Sequence, residues 1–207
     1  TVSRDLISFM RSRNIEFVSK RMKPLTRMHA FFDGQQVDEY CVPKLIEISM
    51  QSGTFRVGET VIGRMQRVGF KPAQRELIGE AARITFRVAQ SNHREGEYNA
   101  PDQVYRESPY DGSPLSATYS ATSAILNVDT FSLSNEAQGQ YSGVIAEGMV
   151  LKGSTSGAEA IITGHRLVSD LAANLTGSLF LPNPNNANHP RFETGTKTFT
   201  LKNDEGN

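Results

Sequence analysis

The sequence predicts an all-β protein built from two or three small antiparallel sandwich-like or barrel-like modules joined by long loops. Seventeen Gly and nine Pro among 207 residues are typical of a chain with many turns. Apolar residues occur in short runs or alternate with polar ones, and no heptad or amphipathic helix pattern is present. A hydrophobic content of 38% and a mean hydropathy of -0.40 indicate thin cores that also rely on neighbouring molecules.

A five-residue spacing of glycines occurs twice, with one or two apolar residues between successive glycines. The two copies align as Gly53, Gly58 and Gly63 with Gly143, Gly148 and Gly153. The similarity continues from 79–85 to 157–163 and from 96–101 to 177–182. We interpret this as a diverged tandem duplication of a strand–turn–strand module, with a loop insertion in one copy. Chance similarity between glycine-bounded strands is an alternative that the sequence leaves open.

Short strands are predicted along the whole chain. They cover 14–19, 27–32, 40–42, 44–48, 54–62, 82–88, two strands within 119–133 (124–128 and 131–133), 179–181 and 195–201. Asp33-Gly34 predicts a hairpin turn, and Pro43 is expected to break the strand before it. A tight turn is also predicted at 153–157, and a helical turn at 73–78. We expect units at 1–52, 53–115 and 116–207.

Two long polar segments, 90–114 and 182–190, are predicted to be loops, because both are rich in Asn, Pro and other turn residues. Tyrosines in the first loop favour contact with a neighbouring surface. The residues we expect to make contacts are Tyr98, Tyr105, Tyr110, Pro184 and His189.

The net charge is zero, so the chain as a whole is not a polyanion binder. Charge is uneven, however: residues 1–27 contain seven basic and two acidic residues. This cluster predicts either an acidic partner surface or simply a solvated face. Cys41, the single cysteine, is expected to be a buried thiol, and no intrachain disulfide is possible. The start at Thr1, without Met, suggests a processed product or a piece of something longer.

No motif predicts chemistry. The four histidines, His29, His93, His165 and His189, each lack a neighbour at metal-ligand spacing. Ser154 and Ser156 lie outside a nucleophile motif, and no phosphate-binding loop is present. We therefore expect no cofactor, no metal, no membrane span and no enzymatic activity. Paired carboxylates brought together by folding, as in a glycan hydrolase, are the alternative left open.

Several stretches together resemble large virion structural proteins of tailed bacteriophages, of the cyanophage-like myovirus type. They are Phe9-Met-Arg-Ser-Arg-Asn-Ile-Glu-Phe17, Lys23-Pro-Leu-Thr26, Phe31-Phe-Asp-Gly34, 119–130, 153–158, 166–170 and 192–201. Each stretch is short, and the resemblance depends on their consistent order along nearly the whole chain.

The resemblance implies a structural component of a contractile-tailed virion, in the tail baseplate or the fibre-attachment region. It would act through protein–protein contacts in a homo- or hetero-oligomeric assembly formed in the bacterial cytoplasm. Nucleic acid is not an expected partner. A receptor- or carbohydrate-binding module of a tail fibre is the alternative, and a tail-associated glycan hydrolase is a third possibility. The resemblance implies no catalytic residues.

Overall fold

A computed structural model describes residues 9–65, 82–89, 105–135, 140–185 and 189–203. These residues confirm the all-β prediction. The strands are β1 (Arg13–Ser19), β2 (Arg27–Phe32), β3 (Gln35–Gln36), β4 (Cys41–Pro43), β5 (Leu45–Ser52), β6 (Thr60–Arg64), β7 (Arg83–Arg87), β8 (Ile125–Asn127), β9 (Ser142–Gly143), β10 (Val150–Gly153), β11 (Glu159–Ile162), β12 (Leu167–Val168), β13 (Leu175–Leu181) and β14 (Phe199–Lys202). A 3-10 helix spans Asp38–Tyr40, and a short α-helix, α1, spans Thr130–Asn135.

Seven strands form one antiparallel sheet in the order β8-β5-β11-β10-β6-β7-β9. The sheet curls until β7 meets β8 through an antiparallel bridge between Val88 and Val128. Two hydrogen bonds flank that bridge, from the Ala89 N–H to the Asn127 carbonyl and from the Asp129 N–H to the Arg87 carbonyl, both 2.9 Å. The sheet therefore curls into a barrel closed between β7 and β8, and the short strand β9 remains at an edge.

The barrel has an internal pseudo-two-fold symmetry that is visible in its hydrogen bonds. The Gly58 N–H donates to the Val88 carbonyl at 3.1 Å, and the Gly148 N–H donates to the Ile162 carbonyl at 2.8 Å. The same repetition relates the register of β5 and β8, where Leu45 faces Asn127 and Glu47 faces Ile125. It also relates β6 and β10, where Val61 faces Gly153 and Gly63 faces Leu151. The symmetry exchanges β5 with β8 and β6 with β10, so that in each case the first residue pair maps onto the second. The two halves of the barrel therefore have the same topology.

The symmetry supports the predicted duplication and corrects its alignment. The glycines align as predicted, with an offset of 90 residues, and Gly58 and Gly148 have φ of 81° and 88° in equivalent turns. The predicted match of 79–85 with 157–163 is wrong. Phe86 pairs with Val61 of β6, and Ala160 pairs with the equivalent Leu151 of β10, so Phe86 and Ala160 are equivalent. Val88 and Ile162 are equivalent because their carbonyls accept the hydrogen bonds from Gly58 and Gly148. The offset falls to 74 there, so the insertion in the first copy lies between β6 and β7.

The second copy contains an insertion of its own. Glu47 corresponds to Asn127, an offset of 80, whereas Ser52 corresponds to Ser142, an offset of 90. The continuous strand β5 is therefore matched by two short strands, β8 and β9, with α1 between them. A strand was predicted at 131–133, and this prediction is wrong. Asp129 caps the helix, because its Oδ1 accepts the Ser132 N–H at 3.0 Å.

The remaining strands form a sandwich beside the barrel. One sheet has the order β1-β13-β4, and the other has the order β12-β2-β14 with β3 also paired to β2. The sheets face each other through Phe17 and Phe199, whose ring centroids are 4.6 Å apart. An edge-to-face pair, Phe32 and Phe192, lies in the same core at 4.7 Å. Cys41 is buried there, and burial raises the pKa of its thiol, as expected for a packing residue.

Several local predictions are confirmed. β2 spans the predicted residues, and Asp33 and Gly34 both have positive φ in the hairpin that joins it to β3. Ile84, Phe86 and Val88 are all buried in the barrel core. The predicted break at Pro43 is confirmed, because Pro43 is the last residue of β4 and β5 begins at Leu45; β4 is also an edge strand, where a missing N–H is tolerated. The predicted helical turn at 73–78 lies outside the described residues.

Strand pairing crosses the boundaries that we expected at 52 and 115. β1 pairs with β13, β2 pairs with β14, and β5 pairs with β11. The barrel and the sandwich are therefore each assembled from segments that lie far apart in the sequence.

Candidate interaction surfaces

Tyr110 is an internal anchor for the segment that contains it. Its hydroxyl donates to the Leu45 carbonyl at 2.6 Å, and the Arg166 guanidinium lies 5.0 Å from the ring centroid. Burial is the main cause that raises the pKa of the Tyr110 phenol, and the Glu47 carboxylate adds to it. The side chain therefore holds the segment 105–123 against the barrel.

The structure brings Tyr105 and Tyr110 together and places Pro184 and His189 elsewhere. Both tyrosines line one small depression beside Leu45 and Leu175. The Lys44 ammonium lies 6.0 Å from the Tyr105 ring and also donates to the Val128 carbonyl at 3.2 Å. Tyr98 lies outside the described residues.

Tyr119 is a second anchor that the sequence analysis missed. Its hydroxyl accepts the Asn127 N–H at 3.0 Å, and burial raises the pKa of its phenol. The sequence signal that could have indicated this anchor is an isolated tyrosine within a stretch of Ser and Thr, with few apolar neighbours in the chain. Because it bonds the backbone of β8, Tyr119 fixes this stretch onto the barrel.

Between these anchors and the barrel lies a polar groove of about 340 Å³. Hydroxyl side chains dominate its wall, including Ser108, Ser113, Ser116, Thr118, Thr122 and Thr163. Several of them stabilise the turns that carry them: the Ser116 Oγ accepts the Thr118 N–H at 3.2 Å, and the Ser120 Oγ accepts the Thr122 N–H at 3.3 Å. The groove is thus a preformed polar concavity whose wall also includes the carboxylates of Glu47 and Asp111.

The second predicted contact segment lies against a different cavity. His189 Nδ1 is 3.3 Å from the Tyr40 hydroxyl, and the two rings are nearly perpendicular with centroids 6.2 Å apart. Burial and the neighbouring Glu39 raise the pKa of Tyr40 to about 12. A cavity of about 510 Å³ lies here, with Arg83 of the barrel and Asn183 of the loop in its wall. Pro184 is partly buried in the same loop.

The described histidines have structural roles. His29 Nδ1 is 2.6 Å from Asp38 Oδ2, and the other oxygen of Asp38 accepts the Ala30 N–H. His165 Nε2 is 2.6 Å from the Cys41 carbonyl oxygen. His93 lies outside the described residues. Within the part of the chain that the structure describes, no group of three or more His, Cys, Asp or Glu side chains is arranged to hold a metal ion.

The fold and these surfaces define an all-β protein that combines a pseudo-symmetric barrel with a β-sandwich and carries several concave surfaces, among them the polar groove and the cavity beside Tyr40. Comparisons with protein-family models, with curated proteins and with solved structures gave no match to this chain. Among the described residues, the helices are too short and too polar to cross a membrane.

Proposed function

We propose that this chain is a structural component of a contractile-tailed bacteriophage virion, in the tail baseplate or the fibre-attachment region. It acts through protein–protein contacts with other virion proteins. The proposal starts from the resemblance of ordered motifs along the sequence to virion structural proteins of tailed phages.

The observation that carries the proposal is the position of those motif residues in the fold. Phe32 and Phe192, from two separate motifs, pack against each other in the sandwich core. Asp33 and Gly34 form the hairpin turn, and Gly157 and Ala158 end the turn before β11. Motifs far apart in the chain thus supply core and turn residues to both the sandwich and the barrel, and this structural use supports the proposal.

A second observation supports a role in contacts. The segment 105–123 has no regular strand or helix, yet Tyr110 and Tyr119 attach it firmly to the barrel. A surface that is ordered before binding loses less conformational entropy when a partner docks. We therefore keep the two predicted contact segments as the contact regions of the proposal.

The test is the location of the protein in purified phage particles. Density-purified particles are probed by mass spectrometry and by immunogold labelling with antibodies against the chain. The expected result is labelling at the tail end of the particle, in a fixed number of copies. Recovery only from the soluble fraction of the lysate would contradict the proposal.

The polar groove favours one second candidate, a receptor- or carbohydrate-binding module of a tail fibre. Its wall of hydroxyls and its flanking carboxylates suit the hydroxyl groups of a sugar, although the ring of Tyr110 is held by the barrel. Glycan-array binding by the wild-type chain that is lost in Thr118→Val would favour this candidate. Particle labelling without any glycan binding would favour the architectural role.

A further inference from the structure

One end of the sandwich is formed by two loops that are tied together. The loop 20–26 joins β1 to β2, and the turn 169–174 joins β12 to β13. The Met22 N–H donates to the Ala173 carbonyl at 2.9 Å, and the Ser169 N–H donates to the Thr26 carbonyl at 3.0 Å. The Ser169 hydroxyl also donates to the Lys23 carbonyl at 2.5 Å. We call these two loops, together with Val18 and Ser19 at the end of β1, the basic tip.

The backbone of the basic tip is strained. Among the described residues, four other than glycine have positive φ, and three of them are in this tip: Arg21 at 61°, Leu25 at 49° and Ala173 at 66°. The left-handed region is unfavourable for such side chains, and residues of this kind are concentrated at binding sites and other functional segments. The hydrogen bonds between the loops hold this conformation.

The surface of the tip combines aliphatic side chains with positive charge. Val18, Leu25 and Leu171 are 54%, 47% and 57% exposed, and they are three of the five exposed large hydrophobic residues in the described chain. Lys20, Arg21 and Lys23 are exposed beside them and form no ion pair with a described residue. Of the nearby acids, Glu16 is half-buried on β1, and the buried Asp170 accepts the Asn174 N–H.

We infer that the basic tip docks onto an acidic protein surface that also carries aliphatic side chains. The inference deepens the proposed function, on which it rests, by naming the chemistry of one partner contact. Charge complementarity would orient the partner, and burial of the three aliphatic side chains would supply affinity. The braced loops are already ordered, so docking costs little conformational entropy.

The composition of the tip argues against other polyanions. Single-stranded nucleic acid is usually bound by cations together with aromatic side chains that stack on bases, and the two loops contain no aromatic residue. A lipid surface would require aliphatic side chains that project freely into the acyl region, whereas these are about half covered by the protein. A protein interface has an apolar centre and a polar rim, which the aliphatic and the charged side chains of the tip match.

The test uses the full chain and fluorescein-labelled 14-residue peptides. One peptide contains Glu and Leu separated by Gly and Ser, the second replaces Leu by Ser, and the third replaces Glu by Lys. Fluorescence anisotropy should show binding of the first peptide only, weakened by raising the salt concentration. The double variant K23E/L25N should lower this affinity roughly tenfold. Asn is chosen because it tolerates positive φ at position 25.

The matched control is K152E/I62T, which changes one exposed lysine and one exposed aliphatic residue on the barrel, away from the tip. It should bind the peptide as the wild type does, and circular dichroism should show both variants folded. Binding of the peptides with and without Leu equally, or no binding of any peptide, overturns the inference. The inference is also overturned if the chain binds a 20-base-pair DNA or phosphatidylglycerol vesicles more strongly than the acidic peptide and K23E/L25N abolishes that binding.

Particle incorporation separates this inference from the proposed function. If particles contain the wild-type chain and K23E/L25N equally, the inference fails and the proposed function stands. If no particle contains the chain while the acidic peptide still binds at the tip, the proposed function fails and the binding surface stands.

Discussion

The side chain of Asn14 forms a two-point hydrogen bond with the backbone of Gly143. Asn14 Nδ2 donates to the Gly143 carbonyl at 2.8 Å, and the Gly143 N–H donates to Asn14 Oδ1 at 2.8 Å. Asn14 is in β1 of the sandwich, and Gly143 is in β9 at the end of the barrel sheet. A buried amide therefore occupies the place of a further strand at that edge and connects the two parts of the fold.

Replacing Asn14 by Ala should lower the free energy of unfolding by about 2 kcal/mol, because a buried N–H and a buried carbonyl lose their partners. Urea denaturation followed by circular dichroism measures the change. Asn185→Ala is the control, since Asn185 is exposed and its side chain forms no hydrogen bond with a described residue. Equal stability of N14A and the wild type would contradict a connecting role for this pair.

Gly148 should tolerate Asn better than Ala. Its φ is 88°, and no atom lies within 4 Å of the place where a Cβ would be, so backbone strain alone decides the outcome. Gly148→Ala should cost about 1 kcal/mol or more and Gly148→Asn less, because Asn adopts positive φ more readily. Thermal unfolding of the two variants measures the difference.

The pseudo-symmetry predicts the same order for the equivalent Gly58, whose φ is 81°. If Gly58→Ala left the stability unchanged while Gly148→Ala lowered it, the two turns would not be equivalent.

Glu59 should stabilise the fold in its ionised form. Burial alone would raise the pKa of Glu59, but N–H groups of Ser156, Arg56 and Thr155 donate to the carboxylate and leave the pKa below its usual 4.5. The stabilisation is therefore present above pH 4.5 and is lost as the pH falls through the lower folded-state pKa. Glu59→Gln should be less stable than the wild type at pH 7.

The measurement is urea denaturation of both proteins between pH 7 and pH 3. The difference in unfolding free energy should shrink below pH 4.5, as the wild-type carboxylate takes up a proton. A difference that stayed constant with pH would contradict the role of the charge.

His165 should make the fold less stable in mild acid. Burial lowers the pKa of the imidazole below its usual 6.5, although the Cys41 carbonyl, Asp38 and Glu147 partly oppose this. The unfolded chain then binds a proton more readily, so this contribution to stability is full above pH 6.5 and is lost as the pH falls toward the folded-state pKa. His165→Gln should reduce the slope of stability against pH between 7 and 5, and an unchanged slope would exclude His165 as its source.

Tyr110→Phe should loosen the 105–123 segment without unfolding the barrel. The variant keeps the ring over which Arg166 lies but loses the hydrogen bond to the Leu45 carbonyl, a loss of about 1 kcal/mol. Hydrogen exchange measured by mass spectrometry should increase in peptides covering 105–123 and remain unchanged in those covering β10 and β11. Faster exchange throughout the barrel would mean that Tyr110 belongs to its core instead.

Much of the local structure could be predicted from the sequence. β2, the Asp33-Gly34 hairpin and the alternating strand β7 depend on side chains that are neighbours in the chain. α1 was missed because its six residues are too few for a periodic pattern, and its cap, Asp129, also pairs with Arg87 at 2.8 Å from another strand. The hydrogen bond of Tyr110 could not be predicted, because its partner, the Leu45 carbonyl, is 65 residues away in the chain.

The sequence by itself determined that this chain would be all-β, where many of its turns lie, and that a glycine-spaced unit occurs twice, because these properties depend on short-range backbone preference and on the alternation of apolar residues. The tertiary structure alone decided which strands pair, where the repeat shifts its alignment, and which tyrosines are anchors. The physical reason is that each of these features depends on contacts between residues far apart in the chain, such as Asn14 with Gly143 and Val88 with Val128.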